Sequence, residues 1–399
     1  MKNIWGKPQY KRLQGEHEMA KVLNYGMVGG GPGAFIGDAH RRSINIDGKA
    51  KLVAGAFSRN AEKSAQMAEN LHLDPERCYQ NYREMAEKES TREDGIDFVV
   101  VVTPNATHYD ACKCFLEAGI HVVCDKPVTI SLAQAEDLEK LAAEKGLLFM
   151  VTYTYTGHVT SKFIREMVRN GEIGDVRVVM AEYPQGWLAK EDDMGGKQGE
   201  WRCNPELSGG VNCLGDLGTH VENIVSMMTG LKIKRVLAKM DKIVPGRVLD
   251  DNDSVLVEYD NGGTGIYWTS QVAIGSDNSL KVRIHGSKGT IIWEQEKCEA
   301  VTVIDEDGNI RVIHRGYSTV AAKAAQYGRL PSGHTEGWLE AMGNLYSSYI
   351  DCVNAKMDGT FSEDMIDYQT VSDGAEGLAF VEACLESSNN GNIWVEMKR

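Results

Sequence analysis

The sequence lacks the features of a membrane, secreted or nucleic-acid-binding protein. It contains no apolar run long enough to span a bilayer, and its first residues have no apolar core of the signal-peptide kind. It has no dense patch of lysine and arginine, and its formal net charge of −14 repels phosphate backbones and anionic surfaces. We therefore expect a cytoplasmic protein that binds neither nucleic acid nor membranes.

Cysteine pairs with metal-ligand spacing are also missing. The nine cysteines are an odd number, and they form no CxxC pair and no Cys/His cluster of the kind that holds zinc. We expect them to be reduced packing residues, and we expect no metal site. Proline is scarce as well, with 9 residues against 42 glycines, which indicates many tight turns.

The pattern of apolar residues divides the chain into two textures. At 399 residues the chain exceeds what one hydrophobic core usually holds. Residues 25–151 alternate continuously apolar runs with helix-like segments, which predicts a Rossmann-type, doubly wound parallel sheet between helices. Residues 152–399 show two-residue alternation and hairpin turns, which predicts an α+β domain with a large, mostly antiparallel, open-faced sheet. Residues 1–24 are predicted to form an N-terminal arm.

A glycine motif follows the first predicted strand. Gly29, Gly31 and Ala34 fit the pattern G-x-G-x-x-G/A, in which glycines allow a tight turn and a close approach of the backbone to a pyrophosphate. Because the motif lies between a strand and a helix, it predicts a dinucleotide site; a glycine-rich turn without a ligand is the alternative. The other residues assigned to this site are Pro32, Phe35 and Ile36.

The residues expected at the nucleotide ribose are Ser58 and Arg59, without the acidic residue that usually binds a free 2′-hydroxyl. An arginine here can pair with a 2′-phosphate or stack over adenine. The residues alone therefore favour NADP mildly, with a solvated surface arginine as the alternative.

Two further strand ends are predicted to line the same crevice. The ends of the predicted fourth and fifth strands carry, in chain order, Thr103, Pro104, Asn105, His108, Asp125, Lys126 and Pro127. Ligands of open α/β sheets lie beyond the carboxyl ends of the strands. Lys126 is therefore expected to face the nicotinamide region, with Pro127 fixing the local φ. A surface lysine before a terminating proline is the alternative.

A second pair of candidates lies in the C-terminal half. Apolar residues recur at helical spacing after His220, which predicts a helix that begins near Asp216. Asp216 and His220 are four residues apart, so on a helix both side chains lie on one face. A helix cap and a packing histidine are the alternatives. The nucleotide fold and the nearby lysine favour a role in substrate chemistry.

Taken together, these motifs resemble the Gfo/Idh/MocA oxidoreductases over residues 25–399. The family's E-K-P appears as Asp125-Lys126-Pro127, its D-x-x-x-H as Asp216 to His220, and its glycine motif as Gly29 to Ala34. The change from Glu to Asp at position 125 shortens the acidic arm beside the lysine. Segments such as "YPQGWL" and "SGHTEGWLEAMGNLY" are similar to the levoglucosan-dehydrogenase-like branch, which includes enzymes that oxidise the 3-hydroxyl of glucosides.

The resemblance implies a dehydrogenase that transfers hydride between a nicotinamide cofactor and a secondary hydroxyl, expected at C3, of a sugar or glucoside. In such a reaction His220 is suited to remove the hydroxyl proton, and Lys126 to stabilise the developing alkoxide. Asp216 can bond a sugar hydroxyl or orient the imidazole. The branch is similar to users of NAD, so NAD(H) is slightly favoured over NADP(H) despite Arg59. Whether the cofactor is released or stays tightly bound is left open.

Sugar recognition needs aromatic platforms and hydrogen-bond donors, and buried aromatic packing is the alternative for each candidate. The expected substrate contacts, besides the catalytic residues, are Tyr153, Tyr155, His158, Trp187 and His334, and the expected additional cofactor contacts are Trp201 and Arg202.

Three other functions are compatible with the sequence. They are an NAD-dependent glycosidase that oxidises C3 transiently, an inositol or other polyol dehydrogenase, and a non-enzymatic sugar or redox sensor. The open face of a broad sheet also predicts self-association, as a dimer or tetramer.

Overall fold

The computed structural model describes residues 21–195 and 197–399. The predicted arm, residues 1–24, therefore lies outside the described residues except for its last four positions. Of these, Leu23 already belongs to the first strand, which begins two residues before the predicted start of the domain.

The N-terminal half is a five-stranded parallel sheet with the order β2-β1-β3-β4-β5 and helices on both faces. All five residues of β3 are buried, as expected for a strand covered on both sides. The predicted doubly wound architecture is confirmed. Its elements are β1 Leu23–Gly29, α1 Phe35–Asn45, β2 Ala50–Ala56, α2 Ala61–Asn70, α3 Tyr82–Glu89, β3 Phe98–Val102, α4 His108–Glu117, β4 His121–Cys124, α5 Leu132–Lys145 and β5 Phe149–Val151.

One numbering in the prediction was wrong. The strands that end before Thr103 and Asp125 are the third and fourth of the sheet, not the fourth and fifth, because only β1 and β2 precede them in the described chain.

The C-terminal half is built on a nine-stranded sheet with the order β13-β12-β11-β10-β6-β9-β8-β7-β14. Among the described strands of this second sheet, only the β6–β9 pair is parallel, so the predicted mostly antiparallel sheet is confirmed. Its strands are β6 Val176–Pro184, β7 Ile233–Asp241, β8 Asn252–Tyr259, β9 Thr264–Ser270, β10 Lys281–Gly286, β11 Gly289–Glu294, β12 Ala300–Asp305, β13 Ile310–His314 and β14 Val395–Glu396.

Seven helices accompany this sheet in the described chain, and a π-helical turn, Leu214–Gly218, leads directly into one of them, α9. The helices are α6 Val159–Arg169, α7 Lys197–Arg202, α8 Pro205–Ser208, α9 Thr219–Thr229, α10 Ala322–Ala325, α11 Trp338–Met357 and α12 Val371–Asn389.

The long helices α11 and α12 join the two halves. Tyr346 and Tyr349 on α11 pack in one core with β1 and β3, and the Tyr349 hydroxyl donates to the main-chain oxygen of Val122 at 3.1 Å. On α12, Val371 and Leu378 pack in the core that contains β4 and α5. The α12 helix also contributes to the core of the nine-stranded sheet, so it belongs to the cores of both halves. Within the described ranges, no helix is long and apolar enough to cross a bilayer.

Candidate active site

The two chemical motifs of the sequence meet at the carboxyl end of the parallel sheet. Lys126 follows β4, and Asp216 lies in the π-helical turn before α9. The Lys126 Nζ atom is 2.6 Å from Asp216 Oδ1 and 2.8 Å from the Asp216 main-chain oxygen. The two side chains are only 15% and 14% exposed. A buried ion pair therefore joins the two halves of the molecule at this point.

The other oxygen of the Asp216 carboxylate is also engaged. Asp216 Oδ2 accepts from Arg202 Nε at 3.1 Å and from Gln271 Nε2 at 3.2 Å. Burial alone would raise the pKa of Asp216, but the charges of Arg202 and Lys126 hold it well below its usual range. Asp216 is therefore an anion throughout the neutral range, and its orientation is set by three donors.

His220 lies one turn further along, inside an aromatic cage. Its ring centroid is 4.8 Å from that of Tyr155, 5.5 Å from Tyr153 and 5.9 Å from Tyr183. Burial, together with the positive charge of Lys126, holds the pKa of His220 well below its ordinary value. The imidazole is therefore neutral at neutral pH, which is the form that can accept a proton.

The helix that carries these two residues starts earlier than predicted. It begins with the π-helical turn at Leu214, and Asp216 lies inside that turn. Such turns are frequent at functional sites. Asp216 is thus not a helix cap, and its carboxylate is available to Lys126.

The turn that presents Lys126 is held by the neighbouring acid. Asp125 Oδ1 accepts from the Lys126 main-chain N–H and from the Thr152 hydroxyl, both at 2.9 Å. The Lys126–Pro127 peptide bond is cis. The Asp125 side chain therefore ties the turn that carries Lys126 to the residue that follows β5.

The side chains of His108 and Asn105 link neighbouring loops through hydrogen bonds in this structure. The His108 ring is buried, with Nδ1 at 2.9 Å from the Pro127 oxygen and Nε2 at 2.7 Å from the Thr103 oxygen. Asn105 is buried and donates to the Ser208 oxygen at 3.4 Å. Both were predicted as cofactor contacts. The structure places both His108 ring nitrogens and the Asn105 amide nitrogen against main-chain oxygens, and the contact of these two residues with the cofactor stays a prediction.

The glycine loop fits a pyrophosphate. Gly29 has φ +86°, and a side chain at Gly31 would place its Cβ 2.7 Å from the Phe57 oxygen, so the loop passes against the end of β2. No side chain caps the start of α1. The free N–H groups there are available to an anion.

At the ribose end of this loop, Arg59 is exposed and Ser58 is half-buried. Asn60 is occupied as the cap of α2, where its side chain accepts from the Lys63 N–H. Phe35 is 70% exposed and stacks on Trp338 of α11, with ring centroids 6.0 Å apart. Phe35 and Trp338 thus connect the glycine loop to the C-terminal domain.

A polar and aromatic wall, which the sequence did not reveal as a unit, stands beside His220. The Tyr155 hydroxyl hydrogen-bonds with that of Tyr183, which in turn donates to Asn278 Oδ1. The Gln185 side chain also donates through Nε2 to Asn278 Oδ1 at 3.1 Å. Its Oε1 atom accepts from Trp187 Nε1 at 2.8 Å. Amide groups and hydroxyls linked in this way suit recognition of a hydroxyl-rich ligand.

Arg202 lies between two of the predicted aromatic residues. Its Cζ atom is 4.3 Å from the ring centroid of Trp201 and 5.7 Å from that of Trp187. Its guanidinium also contacts Asp216, so the three side chains cover the ion pair from one side. Stacking of this kind fixes a planar guanidinium.

His158 and His334 do not join this group. His158 is buried beside Trp293, with ring centroids 5.8 Å apart, and burial lowers its pKa to about 4. His334 is exposed in the loop before α11, and its main-chain oxygen accepts from Arg315. Neither side chain contacts Lys126, Asp216 or His220 in the described part of the chain. Both were predicted to meet the substrate, and their residue types alone could not reveal these positions.

One buried group has the composition of a metal site. In the part of the chain that the structure describes, Cys213, Asp250 and Asp253 are the only three such side chains whose ligand atoms lie within 4.8 Å of one another. Both oxygens of Asp250 already accept main-chain N–H groups. We assign no metal to this group.

A buried acid on α9 predicts a pH effect on stability. Burial, with Glu376 and Asp373 nearby, raises the pKa of Glu222 to about 8, from 4.5. The folded state thus holds a proton that the unfolded chain releases, so stability is lost as pH rises from about 4.5 to 8. We expect the melting temperature of Glu222→Gln minus that of wild type to increase as the pH is raised from 5 to 8.5. The exposed Glu62→Gln should show no such trend; equal trends in both would contradict the assignment.

These features define a class of protein. A parallel sheet carries a dinucleotide-type glycine loop, and the lysine beyond β4 meets an Asp/His pair from a second, mixed-sheet domain, as in nicotinamide-dependent oxidoreductases of two-domain type. The chain belongs to the Gfo/Idh/MocA family. Residues 23–153 match the family's "NAD-binding Rossmann fold" and residues 165–397 its "C-terminal alpha/beta domain". The predicted resemblance is confirmed, and the protein is an NAD-binding oxidoreductase.

Individual relatives extend the comparison. The chain is 37% identical to an uncharacterized oxidoreductase, YfiI, of Bacillus subtilis, over 97% of this chain and 100% of the relative. It is 33% identical to an inositol dehydrogenase homologue of Azotobacter vinelandii solved with NADH and myo-inositol, with a TM-score of 0.89 over 95% of this chain and 98% of the other. It is 24% identical to levoglucosan dehydrogenase of Pseudarthrobacter phenanthrenivorans, over 75% of this chain and 80% of the relative.

Proposed function

We propose that the protein is a nicotinamide-dependent dehydrogenase that oxidises a secondary ring hydroxyl, at C3, of a sugar or glucoside. The observation that carries the proposal is the contact between Lys126 and Asp216 beside the neutral, caged His220. It combines a proton acceptor with a fixed positive charge at the strand ends where a nicotinamide would lie.

The residues of this site can perform the proton and charge steps of alcohol oxidation. His220 accepts the hydroxyl proton at a ring nitrogen. Lys126 has three N–H groups, of which Asp216 uses two, so one remains to stabilise the developing alkoxide. When bound, NAD⁺ supplies the acceptor for the carbinol hydride. Asp216 keeps the ammonium in place because it is ionised and fixed by Arg202.

The wall beside His220 supports a polyhydroxylated substrate. Asn278 and Gln185 offer amide groups, and Tyr183 a hydroxyl, at the side of the imidazole. Arg202, stacked on Trp201, contacts Asp216, and the two side chains would exclude water from the reacting atoms.

A second candidate is an inositol or related cyclic polyol. The observation that favours it is the closer agreement with the inositol dehydrogenase homologue, 33% identical, than with levoglucosan dehydrogenase, 24% identical. A cyclitol presents the same equatorial hydroxyls to the wall as a pyranose does, but it has no anomeric carbon or aglycone.

A substrate panel separates these candidates. The purified protein, given NAD⁺ or NADP⁺, would be assayed by absorbance at the reduced nicotinamide band with glucosides, free hexoses, levoglucosan and inositols, and products analysed for keto groups. A 3-keto sugar or glucoside supports the proposal, and reaction only with inositols supports the second candidate. Cleavage of the glucoside without a keto product and without net reduction of cofactor would indicate a glycosidase instead.

For the cofactor we propose NAD(H). The exposed Arg59 could pair with the 2′-phosphate of NADP(H). The inositol dehydrogenase homologue solved with NADH supports NAD(H), which has no 2′-phosphate. Mass spectrometry of the small molecule released on denaturation of the purified protein, and a comparison of kcat/KM for the two cofactors, would test this. Recovery of NADP(H), or a higher kcat/KM with NADP⁺, would overturn it.

We also propose that the open face of the nine-stranded sheet packs against a second copy of the chain. Leu256 and Ile266, paired across β8 and β9, are 44% and 46% exposed, and Ile266 also pairs with Met180 of β6. An apolar row of this kind is typical of a buried sheet face.

Charged residues on this row should separate the copies. We expect the double variant Leu256→Lys, Ile266→Lys to shift the mass measured by light scattering from a dimer or tetramer to that of one chain, 44.0 kDa. Met357→Lys, at an equally exposed apolar position on α11, should leave the mass unchanged. A wild-type protein with the mass of a single chain would contradict this proposal.

A further inference from the structure

We propose that Gln271, held by Asn212, is a positioning residue that fixes the Asp216 carboxylate on Lys126. The proposal rests on the proposed function, since it concerns the same site. Gln271 lies directly after β9 and Asn212 lies just before the π-helical turn, and both side chains are buried. Neither belongs to a motif that the sequence analysis identified.

A continuous chain of hydrogen bonds carries the inference. Asn212 Nδ2 donates to Gln271 Oε1 at 2.6 Å. The amide nitrogen at the other end of the same side chain, Gln271 Nε2, donates to Asp216 Oδ2 at 3.2 Å. Because Asn212 occupies the amide oxygen, the amide nitrogen must face Asp216. Gln271 can therefore only donate to the carboxylate, and it holds Oδ2 while Lys126 holds Oδ1.

The start of this chain is anchored by a second buried acid. Asp250 accepts the Asn212 N–H at 2.7 Å on Oδ1 and the Leu214 N–H at 2.6 Å on Oδ2. Its main-chain oxygen also accepts from Asn212 Nδ2, at 3.2 Å. Asp250 thus fixes the backbone that enters the π-helical turn together with the side chain that orients Gln271. The same loop therefore fixes both the backbone that leads to Asp216 and, through Asn212 and Gln271, the Asp216 carboxylate.

Asp253 lies beside this anchor, with a carboxylate oxygen within 4.8 Å of an Asp250 oxygen. Its Oδ2 accepts from the Thr269 hydroxyl at 3.0 Å, whereas its fully buried Oδ1 has no partner. Burial and the neighbouring Asp250 raise the pKa of Asp253 well above its ordinary value. A protonated Asp253 carries one negative charge fewer, and no lysine or arginine among the described residues forms an ion pair with it.

The residue at 271 must supply both an acceptor and a donor. Methionine, of similar length, offers neither. Glutamate offers an acceptor for Asn212, but when ionised it turns an oxygen towards the Asp216 carboxylate, and only its protonated form can donate. Placed in the dry interior beside an anion, such a glutamate has a raised pKa. The three side chains therefore predict three distinguishable behaviours.

The test measures kinetics and lysine chemistry in the full-length protein. In Gln271→Met we expect kcat to fall about tenfold to a hundredfold, the range for losing a hydrogen bond to a charged group, with little change in the KM for the cofactor. In Gln271→Glu we expect kcat to recover as the pH falls, a profile that a merely structural role would not produce. The matched control is Gln295→Met, at a buried glutamine outside the site.

A second readout does not depend on turnover. An ammonium held on Asp216 has no lone pair for acylation, so Lys126 should react slowly with acetic anhydride. In Gln271→Met we expect its acetylation, followed by mass spectrometry, to be severalfold faster than in wild type, with Lys140, 76% exposed, as the internal reference. If the wild-type protein oxidised no ring hydroxyl, the proposed function would be wrong. The acetylation rate of Lys126 would still show whether Gln271 positions the Asp216 carboxylate.

One result would overturn the inference, namely a Gln271→Met variant in which kcat and the Lys126 acetylation rate both stay within twofold of the wild-type values. One equivalent of metal in the purified protein that is lost with Asp253→Asn would overturn the protonated state of Asp253, because the group beside Asp250 would then be a metal centre.

Discussion

Replacing Lys126 with methionine is expected to lower kcat by about a hundredfold to a thousandfold, the range seen when a single donor to a developing oxyanion is removed. The Nζ atom contacts Asp216 in two places, and we propose that its remaining N–H group stabilises the reacting oxygen. Methionine keeps the length of the side chain but carries no charge. The KM for the cofactor should change little, because the glycine loop is untouched. Steady-state kinetics with the compound that gives turnover measures both.

The matched control is Lys113→Met. Lys113 on α4 also forms an ion pair with an aspartate, Asp137, at 2.8 Å, but its side chain is 34% exposed and lies outside the crevice. Its replacement should leave kcat within twofold of wild type. If Lys126→Met retained full activity with an unchanged melting temperature, Lys126 would have no part in the chemistry.

The second large effect is expected from His220→Gln, which should lower kcat by about a hundredfold to ten-thousandfold, the contribution of a positioned general base. No neighbour can replace it, because burial raises the pKa values of Tyr153, Tyr155 and Tyr183, the three tyrosines that form its cage. The pKa of His220 is held well below 6.5. The wild-type kcat/KM should therefore stay constant down to mildly acidic pH and fall only when the pH drops below the pKa of His220.

For this prediction the exposed His314 on β13 supplies the control. His314→Gln makes the same chemical change at the edge of the sheet and should leave the pH profile and kcat unaltered. A His220→Gln variant with the wild-type pH profile would show that another group accepts the proton.

Much of the fold could be predicted because its physical causes are local in sequence. Continuous apolar runs such as Phe98–Val102 belong to strands buried on both faces, and the two-residue alternation of β8 follows from one buried and one open face. Lys126 could be found because it lies at a predicted strand end, and Asp216 and His220 because their spacing places them on one face of a predicted helix. Their meeting at 2.6 Å follows from the fold.

The remaining part of the site depends on contacts between distant segments, which local patterns do not contain. Tyr183, Asn278 and Gln271 come from a strand end and two loops, and they reach His220 and Asp216 only through the pairing of β6, β9 and β10. The opposite error concerns His158, whose residue type suits a substrate contact but whose ring is buried beside Trp293. Burial of a single histidine cannot be read from its neighbours in sequence.

The central claim is that this site passes hydride from a ring carbon to a bound nicotinamide. Its most direct test uses a ring substrate from the panel with deuterium on the carbon that bears the reacting hydroxyl. The protein is incubated with this compound and NAD⁺, and both products are analysed by mass spectrometry. We predict a reduced cofactor that carries one deuterium, together with a keto product that has lost it. An unlabelled cofactor alongside a consumed substrate would contradict the account.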